Sequence, residues 1–318
     1  MSDAPRVLVA GAGSIGRRHC ANLRAAGAVV TVLDPDAARV DATVAAVGAI
    51  RGECSAQIPG GYDGVVIASP TVLHAEQAAA AVATGARVLV EKPLACAAAD
   101  VPVPVADGAV AVGYNLRFVA PLQRLIGGVQ RGDIGDIASV RVWFGSWLPG
   151  WRAGDYRASY SAQRALGGGV LLDAIHELDE LVWLFGDGEL TVAGALVQRL
   201  GDLDIDVEDS VHALLQHASG VPVHVALDYL SRDYRRGIEV VGTRGTIRYD
   251  WASERLELEA LDRDRLDETV APDVDEAYRR EARAFLGWID GGPTLPVPAP
   301  VGMESLRLAD AIRAHGTR

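Results

Sequence analysis

Cysteine is scarce: the 318 residues hold three, Cys20, Cys54 and Cys96. They lie far apart and form no Cys-x-x-Cys pair, which argues against a zinc knuckle or a dithiol redox motif and leaves buried, inert thiols as the plain reading. No run of about 18 apolar residues offers a membrane span. Met1–Arg6 lacks the basic start and apolar core of a secretory signal, so a cytoplasmic location is expected. Positive charge is in deficit as well, with 30 Lys and Arg against 42 Asp and Glu and a formal charge of -12. That balance repels phosphate backbones and anionic lipid, so neither nucleic acid nor a membrane surface is expected as a partner, although a local positive pocket is still allowed. His212, His217 and His224 fall on expected strands and make no convincing ligand set, so no metal is expected.

What is present is a soluble globular composition, 49% apolar and 23% charged, in a chain long enough for two domains of roughly 100–200 residues each. The first ninety residues alternate strand and helix: Arg6–Ala10, helix Ile15–Ala26, Val29–Leu33, Val65–Ala68, helix His74–Thr84, then Arg87–Val90. These strands are continuous apolar runs without alternation, as parallel strands buried on both faces require. The series reads as βαβ units and a doubly wound Rossmann sheet. Beyond a helix at Pro121–Gln130, short strands follow one another with turns such as Gly242-Thr243-Arg244-Gly245, several with period-two alternation. They imply a large, mainly antiparallel open sheet in an α+β domain. The expected division is 1–117 for the dinucleotide-binding domain and 118–318 for a substrate-binding and oligomerisation domain, with a Pro-rich connector at Pro293–Pro300 before a last helix, Met303–Ala314.

Gly11-Ala12-Gly13-Ser14-Ile15-Gly16 follows a strand and opens a helix. The first glycine makes the tight turn, the second lets backbone approach a pyrophosphate, and the third permits close helix–strand packing. The helix N-terminus adds unpaired N–H groups and partial positive charge. Glycine patterns alone are common. Asp34 strengthens this one, because it ends the second strand eighteen residues on, where a carboxylate accepts the adenine ribose hydroxyls and repels a 2'-phosphate. NAD rather than NADP is therefore expected. A turn carboxylate before Pro35 is the competing role.

Val88-Leu89-Val90 runs into Glu91-Lys92-Pro93, which sets a lysine at the carboxyl end of a parallel strand, where open α/β sheets bind ligands. Together with the glycine turn, Ser69-Pro70 and His74, Gly113–Phe118, Gly167–Asp173 with His176, and Val207-Glu208-Asp209, this signature resembles the glucose-fructose oxidoreductase, inositol dehydrogenase and MocA (Gfo/Idh/MocA) family over nearly the whole chain. The resemblance implies that Lys92 contacts the nicotinamide ribose and the reacting hydroxyl, and that His176 takes or returns the proton. It also implies that Gly11, Gly13, Ser14, Ile15, Gly16, Asp34, Ser69, Pro70, His74, Glu91, Lys92 and Asn115 form the cofactor site. Histidine is poised near neutral pH for such work, and an ammonium steadies developing alkoxide charge.

A helix over Val170–Phe185 is expected, with Leu171, Ile175, Leu178, Val182 and Phe185 as its core stripe and Asp173, His176, Glu180 and Trp183 on a second. Asp173 and His176 then sit at i,i+3, where the carboxylate raises the imidazole's basicity or bonds the substrate. Many relatives place four steps between the two, and the segment between Lys92 and Asn115, with Pro102 and Pro104, is short for the helix expected there. For the substrate, Arg117 is a candidate where the chain crosses with Asn115 between domains, a hinge being the alternative there, and Trp151, Tyr156 and Tyr160 are candidates in a loop-like cluster that also holds Trp147, Arg152 and Arg157. Aromatic faces with hydroxyl and guanidinium donors suit a sugar, and packing in a covering loop is the alternative. The implied function is hydride exchange between NAD(H) and a secondary hydroxyl or ketone of a sugar, cyclitol or nucleotide-linked sugar. The stretch from Phe144 to Asp179 resembles that of members found with surface-sugar biosynthesis, a resemblance that implies an activated or acidic sugar. A NAD-binding regulator, or a dehydrogenase of non-sugar substrates, is the rival reading. An open sheet with an apolar free face calls for a homodimer or homotetramer.

Overall fold

The computed structural model describes residues 4–53, 58–102, 108–151, 154–186, 189–261, 264–292 and 296–316. Cys54, Pro104, Arg152 and the start of the proline-rich connector lie outside the described residues. The chain divides into two compact units, Met1–Phe118 with Val274–Met303, and Val119–Asp273 with Glu304–Arg318.

The first unit carries strands β1 (Arg6–Ala10), β2 (Val29–Leu33), β3 (Ile50–Arg51), β4 (Gly64–Ile67), β5 (Arg87–Glu91), β6 (Val110–Gly113) and β15 (Val297–Pro298), ordered β15-β6-β5-β4-β1-β2-β3. Every pairing is parallel except β15 on β6. Val7, Leu8 and Val9, Val65, Val66 and Ile67, and Val88, Leu89 and Val90 are almost wholly buried. Such unbroken burial follows where helices cover both faces of a sheet. Cys20 and Leu23 of α1 (Ser14–Ala25) join Ala282, Phe285 and Leu286 of α7 (Val274–Ile289) in one core with Val7, Val9, Val66 and Leu89. Strand order reverses between β1 and β4, so the loops after them open at the switch point where such sheets take ligands.

The second unit is an eight-stranded sheet of β7 (Ile137–Gly145), β8 (Leu190–Gln198), β9 (Ser210–His217), β10 (Pro222–Asp228), β11 (Arg235–Gly242), β12 (Gly245–Asp250), β13 (Arg255–Ala260) and β14 (Leu266–Thr269). The order is β14-β13-β12-β11-β7-β10-β9-β8, antiparallel throughout save the parallel pair β7 and β10. In β10, Val223, Val225 and Leu227 are buried while Pro222 and His224 are exposed, the alternation of a sheet covered on one side. Helices α4 (Ala120–Gln130), α5 (Val170–Asp173) and α6 (Ile175–Phe185) pack against sheet strands. On the outer side a shallow patch holds Leu196, Leu214, His212, His224 and Ala226, with Leu196 57% and Leu214 42% exposed.

Four features differ from expectation. Helix α2 (Ala37–Val47) was not anticipated; Asp36 caps it by accepting the Ala38 and Arg39 amides, and Gly48 closes it in the left-handed conformation. The single helix expected over Val170–Phe185 breaks at Ala174 (φ -92°, ψ 29°), so Asp173 and His176 sit on separate segments. From Ile175 to Val182 that helix is buried on every side, polar stripe included, rather than two-faced. Finally, Val274–Met303 belongs with the first unit, not with 118–318. The reason is packing: α7 lies against α1 and the turn Asn115–Phe118, Arg280 donates to the Phe118 carbonyl at 2.6 Å, and β15 extends the first sheet.

The account of α7 is testable. Phe285→Ala should cost about 3–5 kcal/mol in denaturant unfolding, whereas Leu261→Ala, at a residue 64% exposed, should stay within about 0.5 kcal/mol.

Candidate functional site

The glycine turn is fixed by steric contacts at two of its three glycines. Gly11 has φ 111°, and a Cβ there would lie 2.4 Å from the Ala68 carbonyl oxygen; one on Gly16 would lie 1.9 Å from the Gly11 carbonyl oxygen. No side chain fits either place. Gly13 differs, because a Cβ there meets nothing within 4 Å. It is the N-cap of α1, and Ser14 and Ile15 form the first turn, so the open space lies where the helix presents its free N–H groups. Asp34 accepts the Ala12 amide at 2.8 Å through Oδ2 and the Asp36 amide at 2.8 Å through Oδ1. It is therefore both the turn carboxylate and a brace of the glycine loop, with lone pairs left for further donors.

Across the switch point, the Ser69 hydroxyl donates to Gln77 Oε1 at 2.6 Å, and Pro70 is the N-cap of the turn Thr71–Leu73. His74 is buried, with Nδ1 2.7 Å from the Pro93 carbonyl and Nε2 2.8 Å from the Ser69 carbonyl. Burial pulls its pKa down, against both carbonyls. His74 thus stands between the loop after β4 and the loop after β5, and as a neutral imidazole it donates to one of the two carbonyls. Glu91 ends β5 and is also turned inward: Oε1 lies 2.7 Å from His19 Nε2, and Oε2 accepts the Lys92 amide at 3.3 Å. Lys92 leaves the strand half-buried, ahead of a cis peptide to Pro93. Asn115, buried, and Arg117, half-buried, occupy the turn just past β6. All the expected cofactor residues therefore lie in the first unit, at or just past the carboxyl ends of strands or on the helical turns that follow them.

In the second unit the triple glycine is a packing device. A Cβ on Gly168 would lie 2.3 Å from the Tyr160 carbonyl oxygen, and one on Gly169 (φ 113°) would lie 2.3 Å from Glu208 Oε1. Glu208 is buried, and its carboxylate accepts the Leu171 amide at the start of α5 at 3.3 Å. Burial raises its pKa. Asp173 accepts the Tyr229 hydroxyl at 2.6 Å. Tyr229 is buried, and desolvation followed by the Asp173 charge pushes its phenol well above its ordinary range. Trp151 stands edge-on to Tyr229 at 5.2 Å and to Phe144 at 5.6 Å. A cavity of about 340 Å³ opens beside it, lined by Leu148, Trp151, Asp155, Tyr156, Ser159 and Ser161. The Ser161 hydroxyl is buried without a hydrogen-bond partner. Tyr156 accepts the Asp204 amide at 3.0 Å, and Arg157 is gripped by Asp155, with contacts from 2.7 to 3.0 Å. His176 is buried on α6. Tyr160 is half-buried on the segment that packs over the glycines.

Several working groups carried no readable signal in the sequence. His19, Tyr229 and Glu281 lie far along the chain from their partners. Cys20 is buried, with its thiol pushed up to about 12, as expected of an inert cysteine, whereas Cys96 is half-buried. One signal was available in the composition: Lys92 is the only lysine, and every other basic residue among the 30 Lys and Arg is arginine.

The open space at Gly13 separates stability from binding. Gly13→Ala should keep the unfolding free energy within about 0.5 kcal/mol yet weaken NAD binding by roughly tenfold or more, because the methyl group occupies the approach to the helix N-terminus. Equal loss of stability and affinity, read by denaturation and by calorimetric titration, would contradict this.

Residues 5–103 match the family model described as "Oxidoreductase family, NAD-binding Rossmann fold", and residues 123–248 match "GFO/IDH/MocA C-terminal domain". The chain is 31% identical to 1,5-anhydro-D-fructose reductase of Ensifer adhaerens over 58% of this chain and 56% of that one, so the match spans little more than half of that relative. It is 30% identical to inositol 2-dehydrogenase 1 of Saccharopolyspora erythraea over 90% of this chain and 85% of that one. The fold matches levoglucosan dehydrogenase solved with NADH and levoglucosan at a TM-score of 0.85 and 23% identity, covering 99% of this chain and 98% of that one. With a NAD-binding Rossmann unit and the family's second domain both matched, the chain belongs to the Gfo/Idh/MocA oxidoreductase family.

Proposed function

We propose that this chain is an NAD-dependent dehydrogenase acting on CH–OH groups, exchanging hydride between NAD(H) and a secondary hydroxyl or ketone of a sugar, cyclitol or nucleotide-linked sugar. The observation that carries the reading is Lys92, the sole lysine, just past the carboxyl end of a buried parallel strand in the sheet whose glycine turn leaves its middle glycine open. An ammonium is a compact point charge suited to one developing oxyanion, whereas a guanidinium spreads its charge over a planar fork. A chain that otherwise uses arginine throughout thus keeps lysine at the one place where this matters.

The residues present fit the cofactor. Gly13 and the first turn of α1 suit the pyrophosphate, and Asp34 keeps acceptor capacity for the ribose hydroxyls. NAD supplies the carbon that takes or returns hydride. Lys92 steadies the charge that develops on the reacting oxygen. His176 takes the proton, as an imidazole does near neutral pH. Asp173, held by Tyr229, is a fixed acceptor rather than a mobile base. Asn115 borders the cofactor in this reading, and Arg117, Trp151, Tyr156 and Tyr160 serve the substrate.

The cavity beside Trp151 favours a neutral polyol over an acidic sugar. Its described walls offer an aromatic face and hydroxyl groups and include no arginine, and the neighbouring Arg157 is bonded to Asp155. The names of the relatives, inositol 2-dehydrogenase and levoglucosan dehydrogenase, point to the same class. Among the described residues no helix is long and apolar enough to cross a membrane. We place the protein in the cytoplasm as a homodimer or homotetramer, with the patch around Leu196 and Leu214 covered by a second copy.

Two measurements test this. With NAD and a panel of cyclitols, hexoses and nucleotide sugars, Lys92→Met and His176→Ala should each lower kcat/KM by about 10²–10⁴-fold with the melting temperature little changed; undiminished turnover in either variant counts against the assignment. Light scattering should give a multiple of the 33.5 kDa chain mass, reduced by Leu214→Asp. A wild-type monomer would remove the oligomer from the reading.

A further inference from the structure

Beneath the loop that carries Lys92, three ionisable groups from distant parts of the first unit meet in the interior. His19 lies on α1, Glu91 at the end of β5 and Glu281 on α7. Their nearest nitrogen and oxygen atoms lie within 4.8 Å of one another, and all three residues are buried, Glu281 completely. Glu91 is well satisfied by His19 and by the Lys92 amide. Both oxygens of Glu281, by contrast, are buried without a hydrogen-bond partner. An ionised carboxylate left so costs several kcal/mol, so a group in that position stays neutral or gains a counter-charge.

The charges around the triad decide between the two. His74 and Lys92 act on Glu91, Tyr278 meets the His19 ring edge-on at 5.9 Å, and the guanidinium of Arg18 lies over Tyr278 while bonded to Asp275. Arg280, the next residue before Glu281, is bonded to the Phe118 carbonyl. Glu281 thus faces Glu91, a like charge. Burial, then the Glu91 charge, pushes its carboxyl well above the usual range. Burial also opposes the charge on Glu91, but the His19 hydrogen bond and charge, then Lys92 and His74, outweigh it and hold Glu91 below the usual range. A divalent ion is the other conceivable occupant. Ligands around one small ion stand roughly 3 Å apart or more, and the 2.7 Å contact of His19 with Glu91 is closed as a hydrogen bond instead.

We propose that His19, Glu91 and Glu281 form a buried proton-sharing triad in which Glu281, as the neutral acid, is a positioning residue for Lys92. Of the two carboxyls only Glu91 is ionised, and it holds the Lys92 amide. The acid proton of Glu281 faces Glu91 across a gap that a side-chain rotation or one water molecule bridges. Ionising Glu281 would set two carboxylates against each other and move Glu91, and with it the start of the Glu91-Lys92-Pro93 segment. The role in catalysis rests on the proposed dehydrogenase activity; the proton count does not.

The unfolded chain ionises Glu281 as an ordinary carboxyl, while the folded chain keeps it protonated. The fold therefore binds the extra proton, its stability is fullest below the ordinary carboxyl range, and it declines as pH rises through the folded value. Melting curves of wild type and Glu281→Gln from pH 5 to pH 9 read this directly. The Gln variant should gain on wild type as pH rises, by about 2–4 °C over the series. A constant difference, or a wild type that gains instead, overturns the proton assignment whether or not the protein is a dehydrogenase. For positioning, Glu281→Gln should keep kcat, while Glu281→Leu should lower it by roughly tenfold or more with KM for NAD little changed. The high-pH fall in kcat should be weakened in Glu281→Gln. A folded Glu281→Leu with wild-type kcat overturns the positioning role. A stoichiometric divalent ion in the purified protein, lost in Glu281→Gln, overturns the triad in favour of a metal site.

Discussion

The 2.7 Å contact between His19 Nε2 and Glu91 ties the helix that follows the glycine turn to the strand that delivers Lys92. A carboxylate at the end of a buried parallel strand has no water to solvate it, so it has to find a donor or pull the strand end out of the sheet. His19 meets that need from α1, and the Lys92 amide meets it from the chain itself. Close packing completes the arrangement: a Cβ on Gly113 of β6 would lie 3.3 Å from Glu91 Cδ. The geometry of the glycine turn, through α1, and that of Lys92, through β5, are thus parts of one buried polar assembly.

The second unit uses the same device with different groups. Asp173 is anchored by Tyr229, Tyr229 meets Trp151, and Trp151 belongs to the segment that lines the cavity. Glu208 caps α5 while closing against Gly169. Arg236, near Phe144 and Trp251, holds Glu177 of α6 at 2.6 Å and so gives that buried carboxylate a counter-charge, while burial pushes the Glu180 carboxyl well above its usual range. In both units, candidate site residues thus have positions set by polar contacts in the interior, not by loops alone.

How much of this was legible follows from which signals are local. Glycine spacing, apolar runs and the step from β2 to Asp34 lie within short windows, so the Rossmann unit, the open sheet, and the placement of Gly11–Gly16, Asp34 and Lys92 at strand ends could be read directly. The break at Ala174 could not, because Val170–Phe185 keeps its helical periodicity across it, and the close packing of Gly169 on Glu208 just before it joins residues about 40 positions apart. The return of Val274–Met303 to the first unit was hidden for a similar reason: α7 has an ordinary amphipathic pattern that does not say which sheet it will cover. The place of His74 between the Ser69 and Pro93 carbonyls was not legible either, because it depends on a loop nineteen residues away. Composition, however, held one plain clue, the solitary lysine.

That solitude makes the central claim directly measurable. Reductive methylation with 13C-formaldehyde marks the Lys92 amine and the chain's N-terminus alone, and the lysine signal can be followed by NMR as NAD is added. A Lys92 amine beside the nicotinamide ribose should shift, saturably and with the affinity seen by calorimetry, and its titration with pH should move in the complex. A signal that stays fixed while NAD saturates the protein would contradict the account.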